Sequence, residues 1–180
     1  MRFRALLFVL FSLLILSCRK DPPIYEDLSA SFLTSARVDG KIHGSVRLST
    51  AEYELGQNVI TIIASLGNND EVEMRIQTPE VGTFPLGGNS ATTAFYRVKQ
   101  GNSSVNYVAQ TGSIVLTKFT DDRVIGTFSF TGRSMNGDEK TITDGKFESE
   151  ITFDIDVNGV RIRTKDPEII KQALKKRRSE

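Results

Sequence analysis

Three kinds of side chain in this 180-residue sequence have the chemistry to build a site: the single cysteine Cys18, the single histidine His43, and carboxylates in close pairs at Asp121-Asp122, Asp138-Glu139 and Asp154-Asp156. Paired carboxylates serve glycoside hydrolysis or hold calcium. Zinc prefers nitrogen and thiolate donors, and with one histidine its site would have to be made of carboxylates, which suits that metal poorly. His43 follows a hairpin turn and is expected in solvent. Asp154 and Asp156 fall on the wet side of an alternating strand, and the other acidic pairs sit in turns, where Asp is favoured for local hydrogen bonds. The sequence has no Ser-centred elbow, Walker loop or Gly-rich dinucleotide phrase, and "GNNDE" is too short for a calcium loop. The expectation is no catalytic residue, no metal and no cofactor, so the chain is read as a non-enzyme.

Position gives Cys18 a different meaning. The run from Ala5 to Leu16 is apolar apart from Ser12, follows Arg2 and Arg4, and ends at the small Ser17, which is the layout of a secretory signal. A membrane-spanning helix needs about 20 apolar residues, and this run supplies about a dozen. The spacing Ile15-Leu16-Ser17-Cys18 resembles a bacterial lipobox, in which the thiol takes a diacylglycerol and the chain is cut before the cysteine. Residues 1–17 are therefore expected to be a signal peptide and Cys18 the lipidated residue. The chain then has no free thiol for a disulfide, a metal or a nucleophile. "RKDPPIYEDLSAS" follows, stiffened by Pro22 and Pro23, so residues 18–31 read as the lipidated cysteine and a flexible tether. At about 3.1 Å per residue a dozen residues reach roughly 30 to 40 Å. From residue 18 onward 21 basic residues face 22 acidic ones, a balance of −1 that argues against a nucleic-acid partner.

The elements that would position any site are strands. "EVEMRIQ" sets Val72, Met74 and Ile76 against Glu71, Glu73, Arg75 and Gln77, the two-residue period of a strand with one wet face. Ile151, Phe153, Ile155 and Val157 alternate in the same way, as do Val124, Phe128 and Phe130. "NVITIIASL" is apolar on both sides and predicts a central, doubly covered strand. Turn signals stand between the runs at Asp39-Gly40, Gly67-Asn68-Asn69-Asp70, Gly101-Asn102, Asp121-Asp122, Asn136-Gly137, Asp144-Gly145 and Asn158-Gly159. Pro79 and Pro85 make the segment around "EVGTF" an edge or a crossover. Together these predict an all-β fold over residues 32–164: a single antiparallel domain of about nine or ten strands, closing as a sandwich or as a flattened lipocalin-like barrel.

Residues 165–180 break the period. Asp166 is placed to cap and Pro167 to start a short helix with Ile169, Ile170, Ala173 and Leu174 on one stripe and Lys171, Lys175, Lys176, Arg177 and Arg178 around the rest. This basic C-terminal helix either docks on the sheet or lies on an anionic membrane surface.

"ARVDGKIHGS", "GTFPLG", "AFYRV", "YVAQTGSIVLTKFTDDRVIGTFSFTG" and "TITDGKFESEI" resemble recurring segments of an uncharacterised Bacteroidetes lipoprotein family, domain of unknown function 6252, over roughly Ala36 to Ile151. The resemblance implies a location and no activity: a lipid anchor in the outer membrane, on its periplasmic or surface side. The functional expectation is a membrane-anchored, non-catalytic binding or structural domain of the cell envelope, with an envelope protein or a glycan as partner and the ligand-binding residues unknown. The first alternative is a lipocalin-like carrier of a small hydrophobic ligand, with Phe84, Phe95, Tyr96, Tyr107, Phe128 and Phe130 lining a cavity rather than filling a core. The second is a carboxylate-based hydrolase.

Overall fold

The computed structural model describes residues 33–45, 49–67, 69–101, 103–157 and 160–177. The signal-like run, Cys18 and the tether lie outside them. Eleven strands and one helix follow in order: β1 (Thr34–Val38), β2 (Lys41–Ser45), β3 (Ser49–Glu54), β4 (Val59–Gly67), β5 (Asp70–Gln77), β6 (Gly82–Leu86), β7 (Thr93–Gln100), β8 (Ser103–Phe119), β9 (Arg123–Arg133), β10 (Glu139–Val157), β11 (Val160–Thr164) and α1 (Pro167–Arg177).

The expected all-β domain is present, and all strands belong to one sheet with the order β2-β1-β10-β3-β4-β5-β7-β8-β6; β9 pairs with both β8 and β10, and β11 with β10. The pairing thus runs round from β10 through β3, β4, β5, β7, β8 and β9 and back to β10. It is not a clean barrel, because the two longest strands change partners along their length. β8 pairs with β7 over residues 103–108 and with β9 from Val108 to Phe119. β10 pairs with β9 over residues 139–150 and with β11 over 153–157. One ladder departs from the antiparallel expectation: β3 runs parallel to β10, Ser49 opposite Ser149 and Glu54 opposite Asp154.

Alternation decides what lies inside. Val72, Met74 and Ile76 are fully buried, as are Ile60, Ile62 and Val124, and the buried side chains form one contiguous core. β4 is central as expected but not doubly covered: Ile62 and Ala64 point inward, while Ile63 is half-buried and Ser65 exposed. β6, which contains Pro85, pairs only with β8 and is an edge.

Long strands keep one face inward only if their parity is corrected where the sheet bends, and bulges do this. In β8 the inward residues are Tyr107 and Ala109 before a register shift and Ile114 and Leu116 after it. In β10 the shift between Ile142 and Gly145 moves the inward set from Ile142 to Phe147 and Ile151. Asp144-Gly145, expected as a turn, is therefore a bulge inside β10, with Asp144 at φ 51°. Its residues have the turn's chemistry, because an αL residue serves a bulge as well as a hairpin. Gly145 lies opposite Phe128 and Gly126 opposite Phe147, so each ring rests on the bare backbone of the glycine across the ladder.

The β1–β2 turn is pinned to β10. The Asp39 carboxylate accepts from the Thr141 N–H at 3.0 Å and from Lys140 Nζ, and the Asp39 N–H donates to the Thr141 carbonyl at 2.9 Å. The Lys140 ammonium is the chief cause holding the Asp39 carboxyl below the usual carboxylate range.

Helix α1 docks on the sheet rather than presenting its stripe outward. Asp166 caps it, accepting the Glu168 N–H on Oδ1 at 2.9 Å. Ile170 is buried, Ala173 and Leu174 pack against the core, and Ile169 stands at the exposed margin.

Candidate functional site

The helix leaves a groove at the place where β10 exchanges β9 for β11. The groove has a volume of about 780 Å³ and an apolar floor of Ile151, Pro167, Ile170 and Leu174. One rim is the β8–β9 turn with Asp121, Asp122 and Arg123; the other is α1 with Glu168, Lys171 and Lys175, so each rim carries both signs of charge. The turn is fixed from both sides: the Thr120 N–H donates to the Arg123 carbonyl at 2.9 Å, and the Ile151 N–H donates to the Asp122 carbonyl at 2.9 Å. The Thr120 hydroxyl donates to Asp122 Oδ1 at 2.7 Å, and this bond is the main reason the Asp122 carboxyl lies below its ordinary value. At the foot of the helix Lys165 Nζ meets Glu150 Oε2 at 2.7 Å and lowers the Glu150 carboxyl in the same way. Arg123 is held by Glu148. Among the described residues no ion pair spans the groove from Asp121 or Asp122 to Lys171 or Lys175.

Asp121 and Asp122 are thus exposed turn residues, as expected, but they also form a rim, which strand periodicity alone does not reveal. Asp138 and Glu139 are exposed at the β9–β10 hairpin, where Glu139 pairs with Arg133 at 3.3 Å. Asp156 is exposed, whereas Asp154 is not: it is 6% exposed and bound by Arg161 at 3.0 Å. The expected wet face is covered here because β11 lays Arg161 and Arg163 over β10 and β3, where Arg161 also reaches Glu54 and Arg163 pairs with Glu52.

His43 also departs from expectation. It is half-buried, with Nδ1 3.4 Å from Asp70 Oδ2, and the same oxygen accepts the Tyr96 hydroxyl at 2.7 Å. Burial, followed by the Asp70 carboxylate, pushes the Tyr96 hydroxyl well above its ordinary value, so it stays a neutral donor. The cause lies in the sheet: β2 runs beside the end of β4, with the Gly44 carbonyl against Gly67, and this brings β2 to the first residue of β5. The Tyr96 hydroxyl on Asp70 ties β7 to β5, and His43 of β2 lies beside it with its Nδ1 lacking a hydrogen-bond partner. Tyr96→Phe should therefore cost about 1 to 3 kcal/mol, because the nearly buried Asp70 carboxylate loses its hydroxyl donor. Equilibrium unfolding in urea measures it, and an unchanged midpoint would show that water takes the place of the hydroxyl.

Of the aromatics placed in a carrier cavity, Tyr96, Tyr107, Phe128 and Phe130 are buried in the shared core. Phe128 lies with ring centroids 6.3 Å from both Phe130 and Phe147. Phe84 and Phe95 are half-buried. The groove is floored by aliphatic side chains and uses none of the six. Among the described residues no group of three or more His, Cys, Asp or Glu side chains is arranged to hold a metal ion, and no helix is long and apolar enough to cross a membrane.

Fold and site together define a one-sheet all-β domain with a helix-edged groove at one end. The chain belongs to the family described as Domain of unknown function (DUF6252), whose model matches residues 33–149, well over half the sequence. The match ends before the groove's helix and before the last eight residues of β10. No curated protein and no solved structure matches the chain.

Proposed function

We propose that the chain is a lipid-anchored envelope protein whose β domain is a non-catalytic binding module, with the groove beside α1 as its contact site. The observation that carries the binding half is the groove itself: an open space of about 780 Å³ with an apolar floor between charged rims. The anchoring half rests on the apolar run ending in Ile15-Leu16-Ser17-Cys18, a placement that makes a thioether acceptor of the chain's only thiol. A tether of about a dozen residues gives the domain reach to a partner at the outer membrane.

The non-catalytic reading is supported by the way the carboxylates are used. Glu150 is paired with Lys165, Asp122 is tied to Thr120, and Asp70 accepts the Tyr96 hydroxyl. A general acid-base pair requires groups that converge on an open position. The purified full chain is expected to turn over no peptide, ester or glycan substrate in a hydrolysis screen. Turnover that is lost in Asp121→Asn/Asp122→Asn/Glu150→Gln, but kept in a folded control substituted at Asp138, would replace the binding module by an enzyme.

A further inference from the structure

We infer that the C-terminal half of α1 and the basic run that continues it form a peripheral contact for the anionic lipid headgroups of the bilayer in which Cys18 is anchored. This rests on the lipid-anchor half of the reading above and adds a second, charge-based contact to it.

Charge is unevenly spread along the chain. Residues 171–180 carry five basic side chains and one acidic one, a balance of +4, whereas residues 18–170 carry 16 basic and 21 acidic ones, a balance of −5. Such an asymmetry points to an anionic partner for the basic end. The acidic residues beside it stand at the helix start, where Asp166 is the cap and Glu168 lies in the first turn. From Glu168 to Arg177 the helix rises about 13 Å, more than the roughly 8 Å over which charges are felt at physiological ionic strength. The turn across the groove adds one net negative charge through Asp121, Asp122 and Arg123, too little to offset five basic residues. Lys171 and Lys175 are exposed, and among the described residues neither has an ion-pair partner. Arg161, Arg163 and Lys165 are each held by a carboxylate of the sheet.

The course of the chain makes the bilayer the occupant. β1 runs antiparallel to β10, with Ser35 opposite Lys146 and Val38 opposite Ile142, so β1 starts at the end of this pairing nearer Glu150. Thr34 Oγ1 lies 2.8 Å from Ser49 Oγ, and Ser49 is opposite Ser149. The next residue of β10, Glu150, holds Lys165 at the foot of α1. The tether therefore joins the domain at the end where α1 sits, within its own reach of roughly 30 to 40 Å from the lipid. The β9–β10 hairpin, with the fully exposed Met135, lies at the other end of β10, about 35 Å of strand away. Ile170 is buried and Ala173 and Leu174 pack against the core, so the helix has no apolar stripe free to insert. The contact is made by charge alone, and the acidic remainder of the domain is turned away from the same surface.

The test uses the full acylated chain reconstituted in vesicles. The sequence contains no tryptophan, so a single introduced one is a unique donor. Gln172→Trp places it on the exposed side of α1, and Met135→Trp places it on the distant hairpin. Energy transfer to dansyl-labelled headgroups is read in phosphatidylcholine vesicles and in vesicles containing about one-third phosphatidylglycerol. Transfer from Gln172→Trp is expected to rise roughly twofold with the anionic lipid, and to fall back when salt is raised from about 0.1 M to about 1 M, which shortens the Debye length from about 10 Å to about 3 Å. Met135→Trp should show no rise. Adding Lys171→Gln/Lys175→Gln/Lys176→Gln/Arg177→Gln/Arg178→Gln leaves the docked stripe intact and should remove the response. No rise at Gln172→Trp, an equal rise at both positions, or a rise that survives salt or the five replacements overturns the contact. So does capture of poly-glutamate without any response to phosphatidylglycerol, which would assign the basic run to an acidic protein. Flotation with phosphatidylcholine vesicles separates the contact from the anchor. A chain that floats without the response keeps the anchor and loses the contact, and a chain that does not float refutes both.

Discussion

Phe128→Ala should destabilise the domain by about 3 to 5 kcal/mol, the range for removing a large buried ring whose surroundings relax only partly. Phe128 is 2% exposed, lies between Phe130 and Phe147, and rests on Gly145 across the ladder. The same contact makes Gly145→Ala costly. A Cβ there would stand 2.4 Å from the Phe128 ring and 2.5 Å from the Phe128 carbonyl oxygen, so either the ring or the bulge must move. Ile151→Ala, on the inward face of β10 and under the groove, should lose about 2 to 5 kcal/mol. Its sequence neighbour Glu150 supplies the control. Its side chain is half exposed and its pair with Lys165 is a surface pair, worth about 0 to 1 kcal/mol, so Glu150→Ala should be nearly neutral. Urea midpoints of the four variants decide the register. A Glu150 variant more damaged than the Ile151 variant would mean that β10 is slipped by one residue, since a single slip exchanges every inward and outward side chain.

The second large effect is all-or-none. Cys18→Ser should abolish membrane anchorage, because a hydroxyl cannot form the thioether that carries the diacylglycerol and no other cysteine is present. Two acyl chains hold a protein at a bilayer through about 0.8 kcal/mol per buried methylene, far more than a short basic helix supplies. The variant is expected in the aqueous phase of a detergent partition, or retained at the mass of the uncleaved chain. Unchanged partitioning and unchanged mass would refute lipidation at Cys18.

Much of the fold is legible in the sequence where one physical effect dominates. Alternation alone orients β5 and β9, because one face of each meets the core and the other meets water. Asp166-Pro167 marks the helix start, because the cap and the fixed φ of proline act within a single turn. Legibility fails where the deciding contact comes from a distant strand. Asp144-Gly145 reads as a turn because its chemistry suits both a hairpin and a bulge, and only the pairing of β10 with β9 selects the bulge. Asp154 reads as solvated because nothing local shows that β11 returns to lay Arg161 over it. His43 reads as exposed because its partner Asp70 lies on another hairpin, and the parallel β3–β10 ladder that organises this end of the sheet has no local sequence signal. The candidate site follows the same rule. Asp121-Asp122 and the basic helix are each visible in the sequence, but their facing across a groove depends on where β10 changes partners.

The most direct test of the lipid-anchored module is the intact mass of the protein's N-terminal peptide, purified from the membrane fraction of its own cells. The account predicts a chain that begins at Cys18 and carries a diacylglyceryl thioether and an acylated amine. An unmodified Cys18, or a mature chain that begins after it, would contradict the account.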